Sequence, residues 1–429
     1  MSRVDDAALA RARERDAADP LRAFRERFCL PQRDDGRPLT YLCGHSLGLA
    51  PRAAHAAVVQ ELDDWARLGV LGHHAARRPW VDYADHAQAG LAALAGAAPA
   101  DVIAMNSLTA NLHLMLAAFY RPSGRRTRIL IERGAFSSDR HAVASQLAWH
   151  GLDPQDHLLE LQGEAPGGVF DDAQVEAAIA REGERLALVL WPGVQYRTGE
   201  AFDAGRIARA AHAVGALAGF DLAHAIGNLP LALQADDADF AVWCSYKYLN
   251  AGPGAVGGCF VHPRHGRTAG TRSLAGWWGH EAATRFRMEA EFVPAPGAAA
   301  FALSNPPIFS TAPLLASLEL FAAAGIGALR RKSVELTAFL EARVAQRAGS
   351  RLRLLTPPQP ARRGAQLSLQ FAGGGAQARA VFARLGDAGI VCDLREPDVM
   401  RIAPVPFYNG FEDVWQFTER LGEALEQVG

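Results

Sequence analysis

The chain has 429 residues, 49% apolar and 21% charged, with a formal charge of −2. That length buries a large core and leaves room for two or three domains. The near-neutral balance excludes a basic field for nucleic acid or anionic lipid. Five cysteines with no CxxC pair argue against a disulfide framework or a zinc site and for a reducing, cytoplasmic setting. No apolar run reaches the roughly 18 residues of a membrane span, and the charged start, MSRVDDAALARARERD, does not read as a secretory signal.

In chain order, the first forty residues read as helical until CLPQRDDGRP breaks the pattern. TYLCGHSLGLAP (40–51) is a short extended piece with a glycine-containing loop. Helices are predicted from Ala53 to about Leu68 and from Tyr83 to about Leu94. Asn106 or Ser107 can cap a helix over 108–120. Apolar strands are then predicted at 127–132, 186–191, 216–221, 239–243 and 257–262, with helices at 138–149 and 203–214. Short apolar runs alternating with helices predict an α/β sheet covered on both faces. A long helix over 312–347, broken near Gly325 and Gly327, separates this rhythm from a smaller α+β region. That region has strands at 366–371, 390–395 and 400–404, a helix at 376–388 and a last helix from Glu412.

Of forty-four lysines and arginines only two are lysines, Lys247 in WCSYKYLNAGPG and Lys332 in ALRRKSVEL. Arginine replaces lysine as a charge but cannot form a Schiff base, because its guanidinium stays protonated. Lys247 lies just past a strand end, where open α/β sheets bind ligands, so the position asks for an amine; the alternative is a surface charge snorkelling past its stem. Lys332 has basic neighbours and reads as part of a solvated helix face.

A Schiff-base lysine suggests pyridoxal phosphate (PLP), which needs an acid at its ring nitrogen, a phosphate cradle and a ring to stack on. Asp221, in GFDLAHA, can supply the acid; a strand-terminal Asp is also a common helix N-cap. Leu108 and Thr109 open a helix whose free N–H groups suit a phosphate, or form an ordinary capped helix. Phe136 follows a strand and can stack on a cofactor or sit in the core. His224 follows Asp221 by three residues, but no third ligand at sensible spacing makes a metal site. GPGAVG (252–257) matches GxGxxG yet leads into a strand, so it reads as a tight turn rather than a dinucleotide loop.

These residues, with YLCGHSLGLAP, GVLGHHAARRPWVDY, MNSLTANLHLMLAAFYRP, GFDLAHAIGN, DFAVWCSYKYLNAGPGAVGG, LAGWWGH, FALSNPP and MRIAPVPFYNGFEDV, resemble kynureninases over nearly the whole chain. The resemblance implies the PLP-dependent transferase fold type I: a large domain (53–310) with a mostly parallel seven-stranded sheet, a small α+β domain (311–429) and an N-terminal segment (1–52) joining the small domain. It implies that Lys247 carries the Schiff base, that Asp221 pairs with the pyridinium nitrogen, and that Tyr246 serves as an acid. Leu108, Thr109, His224, Tyr246 and Trp277 would hold the cofactor and its phosphate. Phe136 would stack on the ring, with Ser137, Ser138 and Asp139 contributing contacts beside it. Asn305 would face cofactor or substrate, and Trp277 and Asn305 would come from the partner of a homodimer with shared active sites. Arg401 would grip the substrate carboxylate, with Ser46, His73 and Asn305 around the rest of the substrate. Two residues depart from the family pattern: Ser137 stands where proline is usual, and His45 where asparagine is usual.

The implied reaction is hydrolysis of L-kynurenine to L-alanine and anthranilate, or of 3-hydroxykynurenine to 3-hydroxyanthranilate, in tryptophan catabolism by the kynurenine pathway and NAD biosynthesis. Polar His73 and Asn305 on the ring wall lead us to expect 3-hydroxykynurenine to be accepted at least as well as kynurenine. The competing readings are another PLP enzyme of this fold, such as a cysteine desulfurase or aminotransferase, and a non-enzymatic nucleotide-binding protein.

Overall fold

The structure, a computed structural model, describes residues 3–164, 168–265 and 274–429. Its large sheet has seven strands: β1 (Val102–Ala104), β2 (Arg128–Glu132), β3 (Leu158–Leu161), β4 (Leu186–Pro192), β5 (Leu217–Asp221), β6 (Phe240–Cys244) and β7 (Gly257–Val261). Their spatial order is β1-β7-β6-β5-β4-β2-β3. β7 runs antiparallel to both β6 and β1, and every other pairing is parallel. The expected mostly parallel α/β architecture is therefore present.

The strands are apolar on both faces because both faces are covered. Alternate side chains go to two separate cores. Leu130, Val189, Ala241 and Trp243 join one; Ile129, Ile131, Leu188, Leu190, Phe240 and Val242 join the other. The helix Ile308–Ala324 packs into the first core through Leu314, Leu315, Leu318 and Phe321. Gly325, at φ +74°, ends it and lets the chain turn into a second helix, Ile326–Ala348. Among the described residues no single helix is long and apolar enough to cross a membrane.

A second, antiparallel sheet is formed by β8 (Leu352–Leu354), β9 (Leu367–Phe371), β10 (Asp393–Arg395) and β11 (Val399–Ile402), in the order β10-β11-β9-β8. Its register sets Asp393 and Ser368 on either side of Arg401. Helices Ile326–Ala348, Gly374–Asp387 and Phe411–Val428 cover it around a third core. The N-terminal helix, Arg3–Ala18, joins this region. Its Asp16 accepts hydrogen bonds from the backbone N–H groups of Phe411 (2.7 Å) and Glu412 (2.9 Å), satisfying the start of the last helix from outside.

Lys332 overturns its solvated-face reading. Its side chain is buried, with Nζ 2.7 Å from Asp19 Oδ2 and donating to Pro406 O at 2.7 Å. Arg331 is exposed, the partly buried Arg330 donates to Pro360 O and Arg363 O, and the lysine turns in to tie Asp19 of the N-terminal segment to the loop at Pro406. Removing one partner of a buried pair leaves the other charge unpaired, at a cost of about 3–5 kcal/mol. Asp19→Ala is therefore expected to lower the unfolding free energy by an amount of that order, read as a lower urea midpoint. The check is denaturation followed by circular dichroism, with the urea m-value unchanged.

Candidate active site

Parallel strands release their side chains at the carboxyl edge of the sheet. Glu132 ends β2, Pro192 ends β4, Asp221 ends β5, and Lys247 follows the end of β6 by three residues. These four line one pocket with Leu108, Thr109, Phe136, Ser138, Asp139, His224, Tyr246 and, unforeseen, Val194 and Tyr196. Lys247 Nζ lies 3.1 Å from His224 Nε2. It stands 5.8 Å from the ring centres of both Phe136 and Tyr246.

Burial and the charge of Lys247 hold the fully buried His224 well below the ordinary histidine range. A neutral imidazole leaves Nε2 free to accept from the lysine ammonium. The Tyr246 phenol is pushed up by burial and stays protonated, a donor. The lysine's loop is held from the other side. Gly48 N–H donates to Tyr246 O at 2.8 Å, and a Cβ on Gly48 would sit 2.3 Å from Lys247 O. Only glycine allows the CGHSLG loop this close. GPGAVG is the expected turn, with Gly252 and Gly254 at φ +85° and +71° ahead of β7.

Three carboxylates crowd the floor. Asp221 is 9% exposed, and its Oδ1 accepts the Ala223 N–H at 2.7 Å, so its turn-capping alternative is met by one oxygen. Asp139 lies against it; burial and the Asp221 charge push its carboxyl well above the usual range. Burial, with Asp221 adding, pushes Glu132 up to about 8. Lys247 is the only cation among the residues lining this pocket. The space is short of positive charge, and a pyridinium N–H placed at Asp221 supplies it.

The pocket's other end suits an anion. Ser107 heads the helix Leu108–Phe119 without a side-chain cap, so its first N–H groups are free. The helix Ser137–Trp149 also starts here without one. Ser138 and Asp139 line the pocket, while Ser137 is exposed at the helix start. The Phe136 ring, 41% exposed, meets Tyr196 edge-on at 5.3 Å and 83°, leaving a face to stack on. The residues present fit PLP in charge, cradle and stacking surface. Among the described residues no group of His, Cys, Asp or Glu is arranged to hold a metal.

Arg401 approaches from β11. It is 1% exposed, donates through Nη1 to Tyr196 O at 2.7 Å and is ion-paired through Nη2 to Asp393. Arg395, 3.1 Å from the same carboxylate, is on the more exposed side. His45 is fully buried beside this pair, and its ring centre lies 6.4 Å from that of His224. Ser46 follows in the same turn, its N–H donating to Cys43 O at 2.9 Å.

Trp277, Asn305 and His73 are not among the residues lining the pocket in one chain. His73 packs edge-on against Trp80 at 5.5 Å, Trp277 is 44% exposed, and Asn305 is exposed. Trp65, Val70, Leu71, Phe286 and Phe309 are exposed as well. Trp65 meets Phe309 at 6.1 Å, Trp277 meets Phe286 at 5.6 Å, and Phe286 meets His74 at 6.3 Å.

Sequence reasoning missed Glu132, Tyr196 and Asp393. Glu132 carried the same signal as Asp221, an acid closing an apolar strand. Asp393 becomes visible only through the β10–β11 register, and Tyr196 had no signal.

A profile of the "Kynureninase C-terminal domain" matches residues 329–421. A "Kynureninase" of Xanthomonas campestris pv. campestris (strain B100) is 57% identical over 418 residues, covering 97% of this chain and 98% of that one. The chain belongs to the kynureninase family. A second "Kynureninase", from Xanthomonas euvesicatoria pv. vesicatoria (strain 85-10), is 57% identical over 406 residues, 95% of this chain and 96% of the other. Among solved structures, the cysteine desulfurase CsdA of Escherichia coli superposes with TM-score 0.75 at 19% identity, over 95% of this chain and 98% of that one. C-DES with glycine covalently linked to its PLP cofactor gives TM-score 0.75 at 19% identity, over 90% and 96%. At that identity the last two establish the fold alone, fold type I, which kynureninases share with desulfurases.

The raised Glu132 group makes a stability prediction. Its folded value, about 8, lies above the roughly 4.3 of an unfolded glutamate. Between those values the folded protein holds a proton that the unfolded chain lacks. Stability therefore falls as pH rises through that window, by up to about 1.4 kcal/mol per pH unit. Glu132→Gln should flatten this slope in the cofactor-free protein. Denaturation midpoints between pH 5 and 8, compared with the parent, provide the check.

Proposed function

We propose that this kynureninase uses PLP to hydrolyse the Cβ–Cγ bond of L-kynurenine, or of its 3-hydroxy derivative, giving L-alanine and anthranilate or 3-hydroxyanthranilate. The observation that carries the reading is the single amine of Lys247, facing a neutral His224 over a floor of buried acids. Bound PLP supplies an aldehyde that condenses with amines and a protonated ring that accepts electrons released at the substrate's Cα. Asp221 holds the proton on the ring nitrogen. The N–H groups at Leu108 and Thr109, with Ser138, receive the phosphate. Asp139 lies against Asp221 at the ring's other end, Ser137 contributes a contact beside Phe136, and Phe136 stacks on the ring.

With substrate in the pocket, the Lys247 amine would take the Cα proton. His224, kept neutral, does not compete as a cation and accepts a hydrogen bond from the lysine, which orients the amine. Tyr246, kept protonated, donates in the later transfers. Arg401 holds the α-carboxylate, with Ser46 close by in the adjoining loop. Large apolar side chains exposed in one chain, Trp65, Val70, Leu71, Trp277, Phe286 and Phe309 among them, call for a partner surface. We assign it to a second copy of the chain. In the homodimer, Trp277 and Asn305 reach the partner's cofactor, and His73 with Asn305 forms the polar wall around the aromatic ring. The cysteine usage fits a cytoplasmic enzyme of tryptophan catabolism, in the kynurenine pathway or NAD biosynthesis.

Lys247→Arg keeps the charge and cannot condense with an aldehyde. The variant is expected to fold, to lack the yellow absorption of a lysine–PLP adduct that borohydride bleaches, and to lose turnover. Multiple turnovers near the parent rate would refute the reading.

Arg401→Met should raise KM for kynurenine by about 100-fold or more, the cost of losing a charge-assisted carboxylate contact. KM for kynurenine amide should barely change. Equal losses against acid and amide would take the carboxylate away from Arg401.

A further inference from the structure

His45 is the least satisfied polar side chain near the site. It is fully buried, and neither ring nitrogen makes a hydrogen bond. Leaving a buried polar group unpaired costs about 1–3 kcal/mol, so the position asks for a partner that another state of the site provides. Its Nε2 lies 3.8 Å from Asp393 Oδ2, too far for a hydrogen bond and near enough for a small rotation to make one. Asp393 is at present the counter-ion of Arg401 and Arg395.

The Arg401 guanidinium is buried and already committed to Asp393 and to Tyr196 O. A substrate carboxylate must compete with Asp393 for it. When it wins, Asp393 loses a bidentate partner within a largely buried space. We propose that His45 is a positioning residue for the carboxylate grip: as the substrate carboxylate takes Arg401, Asp393 passes to His45, which takes a proton from solvent and pairs with it. This rests on the reading of Arg401 as the carboxylate grip.

The groups facing His45 support a hand-off rather than a permanent pair. Asp393 and Arg395 come from β10, Arg401 from β11, Cys43 from its own loop, and His224 and Lys247 from the large sheet. Burial, then Arg401 and Lys247, push the imidazole down to about 4 against the opposing pull of Asp393. While Arg401 stays on Asp393 the ring is neutral. Neutralising Arg401 with a substrate carboxylate removes one repulsion and frees the attraction. Carboxylate binding therefore strengthens as pH falls toward about 4, the value of the unliganded ring, by at most about tenfold per pH unit.

The test uses the PLP-loaded enzyme, with L-alanine as the carboxylate probe and L-alaninamide as its control. Calorimetry in buffers of different ionisation enthalpy reads the protons taken up per site. Wild type is expected to take up more than His45→Asn at pH 6.5, the difference approaching about one proton. Asparagine can donate to Asp393 but cannot take a proton, so His45→Asn should bind L-alanine nearly as wild type does at pH 8 and fall behind at pH 6.5. His45→Leu offers no donor and should bind L-alanine about tenfold or more weakly at both pH values, with alaninamide affinity kept. Equal proton counts in wild type and His45→Asn would overturn the proposal. So would an unchanged L-alanine affinity in His45→Leu. A His45→Leu protein that loses both ligands alike is misfolded at the site, and the His45→Asn proton count then decides. Equal wild-type affinity for acid and amide would overturn the Arg401 reading instead, and the hand-off with it.

Discussion

At the carboxyl edge of the large sheet, Glu132, Asp139 and Asp221 share a buried space with the ammonium of Lys247. Three potential negative charges against one positive charge is a state a folded protein resolves only by holding protons or recruiting a cation. The raised Glu132 and Asp139 groups are the first resolution; a ring cation, which our proposed reading sets at Asp221, would be the second. Much of the surrounding architecture keeps this imbalance in place. Both faces of the sheet are covered and the three acids are buried, so water screens them little. The glycine in the CGHSLG loop lets backbone close over the lysine.

The small sheet answers a different electrostatic problem with the same means. Its register puts an aspartate directly beside an almost fully buried arginine. The protein's own carboxylate occupies the guanidinium edge that, in the proposed reading, a substrate carboxylate would take. The two regions meet where Tyr196, on the loop after β4, lends its carbonyl to Arg401 and its ring to Phe136. Recognition of one end of a substrate is thereby tied mechanically to the stacking surface for the other.

The long apolar strands were legible in the sequence, because a strand buried on both faces reads as a continuous run. β2 and β4 to β7 lie within one or two residues of their predicted bounds. β1, β3 and β8 were not foreseen: they are three, four and three residues long, too short for a period to register. The helix Asp172–Glu182 escaped as well, although Asp171 caps it through the Ala173 N–H. At the site, residues on the large sheet were readable because strand ends mark the binding edge. Asp393 was not, since nothing in VCDLREPDVMRIAP says which of its charges will face each other until the hairpin register is known. Lys332 was misread for a related reason. Helical periodicity gives a face, but the buried Asp19 that claims the amine lies more than three hundred residues away in sequence.

The burial of Lys332 has a chemical corollary. With its ammonium locked between Asp19 and a backbone carbonyl, and arginine carrying every other long cationic side chain, Lys247 is the one side-chain amine left within reach of solvent. Reactive aldehydes ordinarily wander over a protein surface, condensing reversibly with whatever amines they meet. Here there is almost nothing on the outside to detain them. The surface is inert to the very functional group that the interior is built to receive, and an aldehyde that lingers on a side chain of this molecule does so at the site.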